Sequence, residues 1–367
     1  MRTRTGRLLP ALLAVLFALV LTGPGCKSDS SKPRVLISRD KIVKSNYDFI
    51  PEHWKEGKLK QLRESEKFKD LPAKDQFDYF LKLCDWTRRQ WKESNPNPYP
   101  LCNAIDILAD IRAGKTGGFC GQYSYVLADV LKSMGYFAVR YVELWTGKNN
   151  EAHFVVEAWS DQHGKWVVLD PQQDLYYEFK ADNTPANAYE IRESFLNKDG
   201  KVRARSAAGS RAEMGDTQMR YYANFAVSFR SDLMRHQKPL SNQDRFDMFV
   251  FFRDQRSSPG VFNNRIPYAN VTTRIEDIYF DCNCARVEYR VDRKQDKIDF
   301  SFFTDGSTFN FKGFMVSLDQ GRKWMPVSDK YSWPINGKTQ AILVAPLNMA
   351  DHLGSFTRIE ISPAGQN

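Results

Sequence analysis

The chain has 367 residues, 42% of them hydrophobic and 26% charged, with a formal net charge of +9. This is long and apolar enough to bury a sizeable core and to divide into two domains. The absence of internal repeats and low-complexity tracts argues against a solenoid. The positive charges are interspersed with acids, as between Lys55 and Lys69, which is the pattern of a solvated surface; no nucleic-acid partner is expected.

The first 25 residues place three arginines (Arg2, Arg4, Arg7) before an apolar run from Leu8 to Leu21, followed by Thr22, Gly23, Pro24 and Gly25. That order is the n-region, h-region and cleavage zone of an export signal. The run is shorter than the roughly 18 residues a permanent span requires, so export is expected rather than a membrane-spanning helix. Without these 25 residues the charge falls by three, to +6. Cys26 follows directly and resembles the lipid-accepting cysteine of bacterial lipoproteins, with Lys27 to Lys32 as a polar tether. The alternative is a chain exported without a lipid.

Residues 27–70 are polar and lack sustained periodicity, and are read as a tether and lead-in. From Asp75 the apolar positions Phe77, Phe80, Leu81 and Cys84 recur at helical spacing, and the helix must end before Pro96, Pro98 and Pro100. A second helix is expected from Asn103 to Ile111. A third starts at Cys120: Tyr123, Val126, Leu127, Val130, Leu131 and Met134 define one face, and Gly135 suits the left-handed position just past the helix end. Strands follow over Phe137–Trp145, Ala152–Trp159 and Trp166–Asp170. A helix is read over Thr217–Leu233. From Val271 onward short β-rich runs (275–280, 285–291, 297–303, 311–318, 340–344 and 356–361), punctuated by Asp305-Gly306 and Asn336-Gly337, predict a β-sandwich.

An exported chain matures in an oxidising compartment. With Cys26 and Cys120 set aside, Cys84 and Cys102 are the expected disulfide, since two short helices joined by the turn Asn95–Pro100 would set them side by side. Cys282 and Cys284 are separated only by Asn283, which strains a mutual bridge. A zinc site there would need two further ligands, so no metal and no cofactor are expected.

The chemistry concentrates at the third helix and the following hairpin. Along an extended strand His153, Val155, Glu157 and Trp159 share one face. If the turn is the four residues Asp161–Gly164, Val155 lies opposite Asp170 and His153 is its diagonal neighbour on the same face. A carboxylate there accepts the ring N–H and favours the protonated imidazole. A thiol at a helix N-terminus beside such a histidine is activated as a nucleophile, and the exposed N–H groups of the first turn can hold an oxyanion. Gly117, Gly118 and Gly121 would leave room for substrate, or serve only as turn residues.

Gly118-Phe119-Cys120-Gly121-Gln122-Tyr123, Ala152-His153-Phe154-Val155-Val156-Glu157-Ala158-Trp159 and Lys165-Trp166-Val167-Val168-Leu169-Asp170-Pro171 together resemble the transglutaminase-like superfamily. The resemblance implies a nucleophile at Cys120, a general base and acid at His153, and an orienting aspartate at Asp170. It also implies an α+β fold: a papain-like core with the cysteine helix packed on an antiparallel sheet, followed by the sandwich. Family members use an upstream tryptophan to complete the oxyanion hole; Trp86 and Trp91 are within reach, and Trp86 is the choice. Residues Ser317–Trp324 resemble a turn of immunoglobulin-like domains on bacterial surface proteins. The expected division is an export segment (1–26), the lead-in (27–70), the transglutaminase-like domain (70–255) and the sandwich (256–367). The implied function is acyl transfer to water or an amine at amide bonds of a peptide or protein substrate. The alternative is a surface binding protein in which the scaffold and sandwich hold a glycan or protein partner.

Overall fold

A computed structural model of the chain describes residues 33–147, 151–209, 216–236, 241, 244, 247–258, 261–262, 266–267, 269–292, 294–336 and 338–362. The export segment, Cys26 and Gly337 lie outside the described residues. Among the described residues no helix is long and apolar enough to cross a membrane.

Its elements in chain order begin with β1 (Arg34–Ile37), α1 (Gly57–Ser65), α2 (Gln76–Arg88), α3 (Ala104–Arg112) and α4 (Cys120–Ser133). Then come β2 (Val139–Trp145), β3 (Ala152–Ser160), β4 (Lys165–Asp170), β5 (Leu175–Phe179), α5 (Ala188–Asn197) and β6 (Val202–Ser206). A 3₁₀ turn (Asp216–Ala223) leads to β7 (Asn224–Ser228), β8 (Phe249–Phe252), β9 (Val261–Phe262), β10 (Ile266–Pro267), β11 (Asn270–Thr272) and α6 (Ile275–Ile278). The last seven are β12 (Arg286–Asp292), β13 (Lys297–Phe303), β14 (Phe311–Ser317), β15 (Met325–Val327), β16 (Lys330–Pro334), β17 (Gln340–Asn348) and β18 (Thr357–Ser362).

The helices start where side chains can cap them. Asp75 accepts from the Asp78 N–H at 2.8 Å, Asn103 accepts from the Asp106 N–H, and Asn187 and Glu190 form a capping box on α5. At the other end of α4, Gly135 adopts φ +93° as expected of a residue past a helix end. An eight-stranded sheet, ordered β11-β8-β7-β2-β3-β4-β5-β6, forms the centre; all its pairs are antiparallel except β11 with β8. Helix α4 is buried along Gly121–Ser133 and packs with α2 and α3 on one sheet face, against Tyr141, Phe154, Val156 and Ala158. Two of its buried charged residues are paired internally: Lys132 bridges to Asp129 at 2.7 Å, and Asp129 also accepts from the Ala104 N–H. The other face carries Val142, Leu144, Val155 and Trp159 under α5, Phe49, Trp54 and Phe280.

The C-terminal part is a two-sheet sandwich. The order β1-β18-β17-β14-β15 faces β12-β13-β16 across Phe300, Phe302, Phe314, Val316, Ile342, Val344 and Ile359.

Four expectations are corrected. The stretch read as a tether is structural: β1 pairs with β18 from Arg34↔Ser362 to Ile37↔Ile359, and Phe49, Trp54 and Leu59 fill the central core. The helix read over 217–233 is a 3₁₀ turn followed by a strand, because Phe225 and Val227 alternate with Ala226 across the sheet. The strand read over 275–280 is the short helix α6. The boundary placed at 255 falls too early, since β11 still extends the central sheet and Ile278 and Phe280 still fill its core.

Candidate active site

The hairpin β3–β4 sets the geometry. Its pairs run from Ser160↔Lys165 to Val156↔Leu169, so the turn is the expected four residues, and one more step puts Val155 opposite Asp170. His153 and Asp170 are then diagonal neighbours on one face. The His153 Nε2 and Asp170 Oδ2 are 2.7 Å apart, with the carboxylate fully buried and the imidazole 8% exposed. The other carboxylate oxygen accepts from the Gln173 N–H at 3.1 Å, so both oxygens are held.

Cys120 opens α4, whose first-turn N–H groups have no intrahelical acceptor. One turn in, Ser124 Oγ donates to the Phe154 carbonyl at 2.9 Å and ties the helix to the strand beside His153. The Cys120 thiol lies close enough to the His153 imidazole to favour its protonated form. Burial by itself disfavours the charged imidazole; the charge and hydrogen bond of Asp170, together with Cys120, overcome it and hold the His153 pKa well above its ordinary value. All three residues expected from sequence are thus brought together, and Cys120 is partly accessible.

The approach to Cys120 differs from expectation. Gly117 and Gly118 are not open to substrate: a Cβ at Gly117 would meet the Asn95 carbonyl at 2.5 Å, and one at Gly118 would meet Trp91 Nε1 at 2.8 Å. The segment after α2 fills that space, with the Ser94 N–H and Trp91 Nε1 both donating to the Gly118 carbonyl, at 3.0 and 3.2 Å. Trp91 stacks on Tyr123 with centroids 4.1 Å apart, and Tyr123 donates to the Trp91 carbonyl. Trp86 instead packs edge-on against Phe68, so the tryptophan beside the loop that leads into Cys120 is Trp91. Only the folded end of α2 distinguishes the two. Gln122, which sequence reasoning passed over, accepts from the Phe119 N–H at 3.1 Å and closes the start of α4.

Cys84 is a free thiol, so the Cys84–Cys102 bridge is not formed; both residues lie buried in the core beneath α4. Cys282 and Cys284 are free and buried, and the Cys284 thiol donates to the Cys282 carbonyl. Among the described residues no three His, Cys, Asp or Glu side chains are grouped to hold a metal ion.

Residues 68–171 match the family model described as the transglutaminase-like superfamily. That match spans α2 through β4 and contains all three residues of the Cys–His–Asp cluster. Residues 68–171 form a transglutaminase-like core. Among solved structures, the chain is similar to Legionella pneumophila LapG (EGTA-treated), at 15% identity and a TM-score of 0.25, over 44% of this chain and 89% of that one. A likeness this loose carries no function across. No curated protein matches the chain.

Proposed function

We propose that this transglutaminase-like core performs thiol-dependent acyl transfer or hydrolysis at amide bonds of peptides or proteins. The observation that carries the reading is the buried carboxylate 2.7 Å from an imidazole that sits beside a thiol at a helix N-terminus. Cys120 Sγ, its proton passed to His153, attacks the amide carbonyl and forms a C–S bond. The C–N bond then breaks as the imidazolium returns that proton to the departing amine. Water or a second amine attacks the thioester, gives its proton to His153, and releases Sγ as the C–S bond breaks. Water makes the chain a peptidase or amidase; an amine makes it a cross-linking enzyme.

The proposal includes export, with Cys26 as a lipid anchor at a membrane, on the strength of the Arg-rich and apolar N-terminus. It places the substrate, a peptide or protein, outside the cytoplasm. The test is the rate of Cys120 alkylation against pH, read by mass spectrometry, in the parent protein and in His153→Ala. Fast labelling well below the range in which a free thiol ionises, lost in the variant, is the expected result. Labelling that follows an ordinary thiol in both proteins overturns the proposal and favours a binding scaffold.

A further inference from the structure

The 3₁₀ turn Asp216–Ala223 places Tyr221 beside the imidazole and Arg220 on Tyr221. Tyr222 is fully buried and meets Tyr177 edge-on, centroids 5.2 Å apart, which anchors the turn to the central core. Its neighbour Tyr221 is half-buried, with its ring 5.6 Å from that of His153. Arg220 lies over the Tyr221 ring, its guanidinium carbon 5.1 Å from the centroid, and donates to the Tyr221 hydroxyl at 3.4 Å. A guanidinium is therefore held two ring contacts from the proton-transferring group. Its ion pair is with Glu151, 3.9 Å away and two residues before His153; the two side chains are 50% and 40% exposed. An exposed pair of that length is weak and readily exchanges one carboxylate for another. Arginine also offers a planar fork that suits a carboxylate.

In acyl transfer the imidazole nitrogen that takes the thiol's proton delivers it to the departing amine, so a side chain packed on the imidazole, as Tyr221 is, lies next to the amine half of the substrate. We propose that Arg220, held on Tyr221, is a specificity-determining residue that selects a carboxylate on the leaving-group side of the scissile amide, with Glu151 occupying it in the empty site. This rests on the acyl-transfer reading of Cys120, His153 and Asp170. The same subsite would favour acidic amines as acceptors, since the incoming nucleophile enters where the leaving group departs.

The experiment compares Cys120 labelling by iodoacetate, an anion, with labelling by iodoacetamide, its neutral counterpart, in the full chain. The ratio of the two rates reads the local field independently of any substrate. Arg220→Gln is expected to lower the iodoacetate-to-iodoacetamide ratio on the order of threefold, and Arg220→Glu further, while Glu151→Gln raises it. All of these residues are exposed, and Arg290→Gln on the sandwich serves as a control whose ratio stays at the parent value. N-acetylglutamate α-amide and N-acetylglycine are then added as competitors. Slowing of iodoacetate labelling by the first assigns an acidic side chain, and by the second a chain terminus. A ratio that does not move in either Arg220 variant, or no arginine-dependent slowing by either competitor, overturns the subsite. If iodoacetamide itself shows no fast labelling at low pH in the parent protein, the acyl-transfer reading fails instead, so the two failures are distinguishable.

Discussion

Replacing Asp170 by asparagine keeps the shape of the site and removes its charge. The asparagine carbonyl can still accept from the Gln173 N–H, so the loop after β4 has no reason to move. What is lost is the anion 2.7 Å from His153 Nε2, in a position with no solvent access. Burial is then opposed by Cys120 alone, and the imidazole pKa falls from its raised value. Breaking a buried charged pair by removing one partner costs about 3 to 5 kcal/mol, and about 1.4 kcal/mol is a factor of ten. Cys120 alkylation near pH 6 is therefore expected to slow by roughly a hundredfold or more in Asp170→Asn. The assay is the labelling rate from pH 5 to 9, with far-UV circular dichroism to confirm folding. Stability carries the same signature. A histidine whose folded pKa is raised stabilises the fold fully below its unfolded value, and that contribution fades as pH rises through the folded one. The stability gap between parent and variant should accordingly be widest in acid and close toward alkaline pH. A folded Asp170→Asn protein with the parent's labelling profile would refute the reasoning.

Two further outcomes test the packing that supports the site. Glu157 is buried between Arg140, which donates through Nε at 2.9 Å and Nη2 at 2.6 Å, the Ala188 N–H and the Tyr279 hydroxyl. Glu157→Gln leaves the Arg140 guanidinium buried without its counter-ion and should cost about 3 to 5 kcal/mol by denaturant unfolding; an unchanged midpoint would show that Trp166, 4.0 Å beneath the guanidinium, suffices. Asp161, in the β3–β4 turn, has its carboxyl pushed up to about 7 by burial, despite donors from Gln76 and Ser355. Such a group binds its proton more tightly when folded, so stability is present in acid and lost as pH rises toward 7. The full shift corresponds to about 4 kcal/mol, and partial access to water halves it, so Asp161→Asn should gain about 2 kcal/mol over the parent at pH 8 and nothing at pH 4. Thermal unfolding across that range decides it, and a gain independent of pH would contradict the assignment.

The site was more legible than its surroundings because its parts are close in sequence. His153 and Asp170 are joined by one hairpin whose parity follows from a four-residue turn, and Cys120 is marked by the glycines before it, helical spacing after it and Gly135 at the end. What escaped depends on distant partners. Val35 and Ile37 look like part of a polar tether until β18, more than 300 residues away, supplies their sheet. Trp91 and Trp86 are equivalent on paper, and the chain turning back onto Gly118 separates them. Gly117 and Gly118 read as space for a ligand, whereas the segment Trp91–Asn95 occupies it. The 275–280 run has the composition of a strand, but Asp277 is held by Thr272 and by the Asn46 N–H, and the chain coils around it.

The lead-in and the sandwich reach the candidate site through the same hairpin. At its turn, Trp159 Nε1 donates to Ser355 Oγ at 3.2 Å, Trp166 Nε1 donates to the Phe280 carbonyl at 2.9 Å, and Ser355 Oγ also reaches the Asp161 carbonyl. Phe49 and Phe280 pack against Trp166 from the lead-in and from the chain before the sandwich. The closed end of β3–β4 is thus fixed by residues from both termini, while the open end presents His153 and Asp170 to the helix that carries Cys120. In a strand pair a slip of one residue turns every side chain to the opposite face, and here it would part the imidazole from its carboxylate. Fixing the turn fixes the register, and the register is what sets His153 against Asp170.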